Sequence, residues 1–176
     1  MVIARERKED FDEIYAFIKT AFSTAEVADG NEQDFVNAIR KSENYIPELT
    51  LTAKEKGEII GFIMLSKTEL LLDGKKSAAL NLGPVAVKRE LRGKGVGSAL
   101  MRESLARAKE LGWESVFLAG NPKFYSRFSF VPAADYGVKC NVPVPEELLP
   151  NIMAAELKAG ALADKRGATV RLTEKW

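Results

Sequence analysis

Residues 79–111 read ALNLGPVAVKRELRGKGVGSALMRESLARAKEL, and the rest of the chain can be organised around them. An apolar run broken at Gly83-Pro84 leads through Lys88-Arg89-Glu90-Leu91 to Arg92-Gly93-Lys94-Gly95-Val96-Gly97, where a long helical pattern begins. The spacing predicts a strand, a short basic turn and a helix whose first turn is almost free of side chains. A helix start leaves about four backbone N–H groups without intrahelical partners, and the aligned peptide dipoles make that end partly positive. Anionic phosphate suits such a place. A glycine inside a helix costs about 1 kcal/mol relative to alanine, so Gly93, Gly95 and Gly97 in succession need a reason, and close approach of a ligand to the backbone supplies one. On a 3.6-residue wheel Val96, Leu100, Met101, Leu105, Ala108 and Leu111 share one half, with Arg102, Glu103, Ala106, Lys109 and Glu110 opposite, so this helix is expected to lie on a sheet.

Upstream, residues 50–54 alternate as a strand, Glu55-Lys56-Gly57-Glu58 turns the chain, and residues 59–65 form an apolar run that resumes at Leu70-Leu71-Leu72. Asp73-Gly74 is a hairpin signal, returning the chain through residues 77–87. Proline cannot donate to a sheet ladder, so a bulge is expected at Gly83-Pro84. At the N-terminus, residues 2–5 read as a strand, Asp10 as a helix cap, Phe11, Ile14, Tyr15, Phe17, Ile18 and Phe22 as the inward face of a first helix, and residues 32–40 as a second with Phe35, Val36 and Ile39 inward. Downstream, residues 115–119 read as a buried strand, residues 131–140 as loop, and residues 151–157 and 168–172 as the last strands. The fold class expected is α/β (α+β): a mixed, mostly antiparallel sheet of about seven strands flanked by helices, in one domain of residues 1–176.

Composition narrows the chemistry. Hydrophobic residues make up 46% and charged residues 29% of 176, as in a globular domain. Lys plus Arg total 26 against 25 acidic residues, so no general attraction to nucleic acid or to an anionic membrane is built in. Histidine is absent and Cys140 is the single cysteine, which excludes an internal disulfide, a multi-cysteine zinc site, Ser-His-Asp and Cys-His nucleophile systems and any histidine base; no metal is expected. An enzyme made from this chain works with Tyr, Glu, Asp, Lys, backbone amides or a cofactor. The early residues are charged and lack a signal-peptide core, and no apolar run approaches the roughly 18 residues of a membrane span, so a cytoplasmic location is expected.

The phosphate ligand can be narrowed too. A G-x-G-x-x-G fingerprint starting at Gly93 fails at Ser98, and no P-loop is present. What stands is Arg92-x-x-Gly95-x-Gly97 after a strand carrying Gly83-Pro84-Val85-Ala86-Val87, which resembles the acetyl-CoA-binding motif [QR]-x-x-G-x-[GA] of the GNAT N-acetyltransferase superfamily. The run Gly120-Asn121-Pro122-Lys123-Phe124-Tyr125-Ser126-Arg127-Phe128-Ser129-Phe130 resembles the G-[DN]-P-x-[FY]-Y-x-R-F-G-F stretch of the branch typified by YhbS, with Ser129 in place of the usual glycine.

The resemblance implies acetyl-CoA as co-substrate, strands four and five splayed apart, and a fourth strand that pairs with the pantetheine arm through Val85, Ala86 and Val87. It implies diphosphate held at Arg92, Gly93, Lys94, Gly95, Val96, Gly97 and Ser98, a further cofactor contact at Asn121, and Tyr125 as the acid at the departing thiolate. Phe22, Glu26, Glu32, Glu48 and Asn81 are candidates for the amine side, with Glu48, Glu32 or an Asn81-held water taking the amine proton. Read as residues alone, these remain ordinary core aromatics and solvated carboxylates, and Phe124, Tyr125, Phe128 and Phe130 remain an aromatic packing cluster. Expected partners are a small-molecule or peptide amine, no nucleic acid and no membrane, with a homodimer among the open assembly states. A non-catalytic acyl-CoA-binding or sensing module and a nucleotide-binding regulatory domain are the alternatives.

Overall fold

The computed structural model describes residues 1–24 and 30–172. In chain order these form β1 (Val2–Arg5), α1 (Phe11–Phe22), α2 (Glu32–Arg40), β2 (Thr50–Glu55), β3 (Glu58–Leu72), β4 (Lys75–Val87), α3 (Val96–Glu110), β5 (Ser115–Ala119), α4 (Pro122–Tyr125), β6 (Val131–Pro132), β7 (Lys139–Cys140), β8 (Ile152–Glu156) and β9 (Thr169–Val170). Two compact units arise, Met1–Ser66 with Gly83–Arg107 and Lys67–Leu82 with Ala108–Lys175, and β3 and β4 run through both.

In the first unit β1 pairs antiparallel with β2, and β2 with β3. Residues 59–66 of β3 are buried without interruption, unlike a half-solvated strand, because helices cover both faces. Phe62 and Met64 pack with Ile14 and Ile18 of α1, Val36 and Ile39 of α2, and Ala86 of β4. Gly61, pointing the other way, lies against Val96 and Leu100 of α3. Burying each large apolar side chain contributes about 1.5–3 kcal/mol. The buried stripe of α1 is Ile14, Ile18 and Ala21, at helical spacing, while Phe11, Phe17 and Phe22 flank it half-buried. Asp10 departs from the expected cap. Its carboxylate accepts no helix amide and instead receives Lys54 Nζ at 2.8 Å and Arg7 Nε at 3.2 Å.

In the second unit β5 runs parallel to β4 at Leu80–Val116 and Asn81–Phe117 and antiparallel to β8 along its whole length. β6 pairs with β8, and β9 with both β3 and β7. β6 and β7 have two residues each, too short to show alternation, which is why residues 131–140 read as loop and about seven strands were expected; β9 lies within the strand expected at residues 168–172. The core joins Leu70, Ala79, Phe117, Ile152, Ala154 and Val170. Asp73 and Gly74 take φ of 49° and 74°, the primed turn their sequence predicts. The β4–β5 ladder stops at Asn81, and β4 continues to Val87, past a cis Gly83–Pro84 bond, with no β5 partner. β5 itself ends at Ala119, two residues beyond its last β4 partner. Among the described residues no helix is long and apolar enough to cross a membrane.

The Glu6 side chain is fully buried and receives Arg40 Nε at 3.0 Å, a second Arg40 contact through Nη2, and the Tyr45 hydroxyl at 2.8 Å. Removing one partner of a buried pair leaves an uncompensated charge, so Arg40→Met is expected to cost about 3–5 kcal/mol in urea denaturation, and Glu6→Gln added to it to recover part of that loss. Lys54 first, then Arg7, hold the Asp10 carboxyl below its ordinary value of 3.8. A depressed carboxyl contributes stability that is complete above the unfolded-state pKa and is lost as pH falls through the folded one. Wild type should therefore lose stability on acidification below about pH 4, and Asp10→Asn should flatten that part of a stability-against-pH curve.

Candidate functional site

Beyond β4, Lys88 N–H donates to Ile60 O at 3.0 Å, a tight helical turn over Arg89–Leu91 reverses the chain, and Gly93 and Gly95 follow with φ of 73° and 90°. Only glycine adopts such angles freely, and a Cβ at either position would meet nothing within 4 Å, so the demand is conformational and the space over the turn is open. Lys94 N–H donates to Leu91 O at 3.2 Å, and Ala99 N–H closes the first helical bond on Gly95 O at 2.9 Å. The N–H groups of Gly95, Val96, Gly97 and Ser98 have no acceptor among the described residues. Four donors thus converge at the positive end of a 15-residue helix, with Lys94 exposed beside them. Among the described residues Lys94 makes no ion pair.

Arg92 is placed in a way that its motif does not announce. Its guanidinium donates to Ala21 O at 2.5 Å, Thr24 O at 3.3 Å and Val87 O at 3.4 Å. It thereby satisfies carbonyls that the C-terminus of α1 leaves without helical partners and ties them to the end of β4. Its charge stays near the turn, but its donors are engaged. Val85 and Val87 are half-buried, and Ala86 is buried in the α1–α2 core.

The amine-side candidates are scattered. Phe22 packs half-buried against the first unit's core, Glu32 opens α2 half-buried, and Glu26 lies outside the described residues. Glu48 forms an ion pair with Arg5 at 3.3 Å. Asn81 is buried, 8% exposed, where the β4–β5 ladder ends.

In the second unit the chain leaves β5 through Gly120, whose N–H donates to Asn151 O at 2.9 Å. Asn121 caps α4, its Oδ1 accepting Lys123 N–H at 2.9 Å and leaving the Nδ2 side of the amide outward. α4 then brings Tyr125 back over the strand end. The ring stands edge-on to Phe124 (centroids 4.9 Å apart) and to Phe130 (6.1 Å). A Cβ on Gly120 would fall 2.2 Å from Tyr125 Cε2 and 2.9 Å from Cδ2, so the ring rests directly on the Gly120 backbone. Burial pushes the Tyr125 phenol up to about 12, and its hydroxyl has no hydrogen-bond partner among the described residues. It is a protonated donor with nothing to donate to. Ser129, the departure from the branch pattern, takes φ of 66°, preserving the left-handed turn that glycine would supply.

Sequence reading missed the role of Gly120, because nothing in a linear chain says that a ring five residues on folds back upon it. Gly120→Ala is expected to expel the ring while leaving the fold intact: in a crystal structure of the variant the Tyr125 hydroxyl should be displaced by more than about 2 Å, since ordinary carbon contacts lie near 3.5–4.0 Å.

A family description of the acetyltransferase (GNAT) domain matches residues 3–133. The Escherichia coli (strain K12) uncharacterized N-acetyltransferase YjhQ is 32% identical over 117 residues, covering 66% of this chain and 65% of YjhQ; YhbS from the same strain is 32% identical over 92 residues, covering 52% and 54%. The matched region thus spans less than two thirds of these relatives' lengths. A crystal structure of YhbS from Escherichia coli in complex with CoA superposes with TM-score 0.82 at 25% identity, covering 98% of this chain and 89% of that one. A GNAT family acetyltransferase from Brucella melitensis in complex with acetyl-CoA gives 0.66 at 32% identity, covering 73% and 81%. With the motif at Arg92–Gly97 and this family match over most of the chain's length, the chain belongs to the GNAT acetyltransferase family.

Proposed function

We propose that the chain is an acetyl-CoA-dependent N-acetyltransferase that moves an acetyl group to a primary amine of a small molecule or peptide by direct attack within a ternary complex. The observation that carries this is the row of unpartnered donors at Gly95, Val96, Gly97 and Ser98 in a chain of this family; the CoA and acetyl-CoA complexes of its structural relatives support it. Acetyl-CoA, when bound, supplies an acyl group already activated as a thioester, which suits a chain without histidine.

The residues divide the work. The main chain of Gly93 and residues 95–98 holds the diphosphate, with Lys94 and Arg92 adding positive charge. Val85, Ala86 and Val87 offer main-chain pairing to the pantetheine arm, and an N–H near Val85 polarises the thioester carbonyl. Asn121 donates to the arm through its free amide nitrogen. As the amine nitrogen bonds to the acyl carbon and the C–S bond breaks, Tyr125 donates a hydrogen bond to the sulfur. A phenol near 12 is a weaker acid than a thiol near 8.5, so full proton transfer to a solvent-like thiolate is uphill by about 5 kcal/mol, and Tyr125 acts by hydrogen bonding while the thiolate takes its proton from solvent. Glu32, Glu48 or a water held by Asn81 receives the amine proton. Phe22 borders the acceptor. We place this activity in one cytoplasmic domain of residues 1–176.

Calorimetry with acetyl-CoA, CoA and ATP tests the binding half. Acetyl-CoA and CoA are expected to bind, and Gly95→Glu or Gly97→Glu to abolish binding by setting negative charge against the diphosphate; preference for ATP would remove the reading. Free-thiol release across a panel of polyamines, aminoglycosides and peptide N-termini tests the chemistry. Tyr125→Phe should lower kcat by about 10²–10³ with little change in CoA affinity, and an unaffected kcat would point to a tyrosine without a catalytic part. Because Tyr125 stays protonated, kcat should rise with pH as the amine deprotonates and show no decline below about pH 10.

A further inference from the structure

Gly61 stands in the middle of β3, paired with Ala53 of β2. It is not among the glycines with positive φ, so its backbone angles do not call for glycine, and a glycine within a strand weakens it by about 0.5–1 kcal/mol. Space is what demands it. A Cβ there would lie 2.8 Å from Leu100 Cδ1, 2.9 Å from Val96 Cγ1 and 3.4 Å from Ala53 Cβ. Leu100 is completely buried and Val96 6% exposed, so neither has free room to retreat. The residues that meet Gly61 are the first of α3 and the one a turn later, the same turn that presents the N–H groups of Gly95, Val96, Gly97 and Ser98.

We infer that Gly61 is a positioning residue for the cofactor turn: by lacking a side chain it sets how closely the N-terminal end of α3 lies on β3, and hence where those amides stand relative to the β4 end that feeds them. The inference rests on the reading that this turn holds the diphosphate of CoA. Hydrogen bonds to phosphate weaken steeply when a donor moves by several tenths of an ångström, and a methyl group at residue 61 forces a retreat of that size.

The test is calorimetry with CoA on folded proteins, with melting temperatures measured in parallel. Wild type is expected to bind, Gly61→Ala to bind about tenfold more weakly or worse, and Gly61→Ala combined with Leu100→Ala, which removes the nearer obstructing side chain, to bind at least about threefold more tightly than Gly61→Ala although its melting temperature is no higher. A purely structural role predicts the opposite split, in which affinity tracks stability. Gly61→Ala affinity within twofold of wild type overturns the inference. Absence of CoA binding by wild type overturns the reading of the turn itself, and the inference with it. Should Gly61→Ala not fold, Leu100→Val probes the same contact from the helix side: weakened CoA binding supports the positioning role, and unchanged binding overturns it.

Discussion

An α-helix cannot satisfy the N–H groups of its own first turn, and at Gly95, Val96, Gly97 and Ser98 no other acceptor is found among the described residues. Much of the first unit serves to keep that end bare and still. Glycines at positive φ bring the chain into the helix without covering it, the Arg89–Leu91 turn fixes its approach, and Arg92 spends its donors on the carbonyls of α1 and β4 instead of folding over the amides. β3, buried on both faces, gives α3 a rigid floor, and Gly61 lets the helix come down onto it.

The second unit shows a comparable economy around one phenol. β5 runs into Gly120, Asn121 caps the four-residue α4, and the Tyr125 ring is laid against backbone where no Cβ intervenes. Burial raises the pKa of that phenol, so it stays protonated and can donate a hydrogen bond at any physiological pH. In the proposed reaction a histidine-free chain relies on hydrogen-bond donation and an activated donor substrate, a combination that asks little of side-chain acid–base chemistry.

Local signals read well along the chain. The 3.6-residue spacing of Ile14 and Ile18, the apolar run of β3, the Asp73-Gly74 turn and the glycines ahead of Val96 each depend on neighbours within a few residues, and each found its place. Signals with a distant partner did not. Asp10 looks like a helix cap until Lys54 is brought beside it, 44 residues away in the chain. Arg92 looks like a free phosphate ligand until the end of α1 meets it from 71 residues away. β6 and β7, two residues each in a stretch that reads as loop, are strands only because β8 and β9 offer them an edge.

By itself the sequence determined the helix start, the donor-rich glycine turn, the aromatic run with its tyrosine, and the exclusion of histidine and multi-cysteine chemistry, since all of these follow from residue type and short spacing. Only the tertiary structure decided where the β4–β5 ladder ends, that Gly61 and Gly120 are there for what packs on them, and that the guanidinium of Arg92 faces carbonyls. The reason is physical. Backbone conformation is set largely by neighbours in the chain, but the fit of a ring or a helix against a missing Cβ depends on surfaces that meet only after folding.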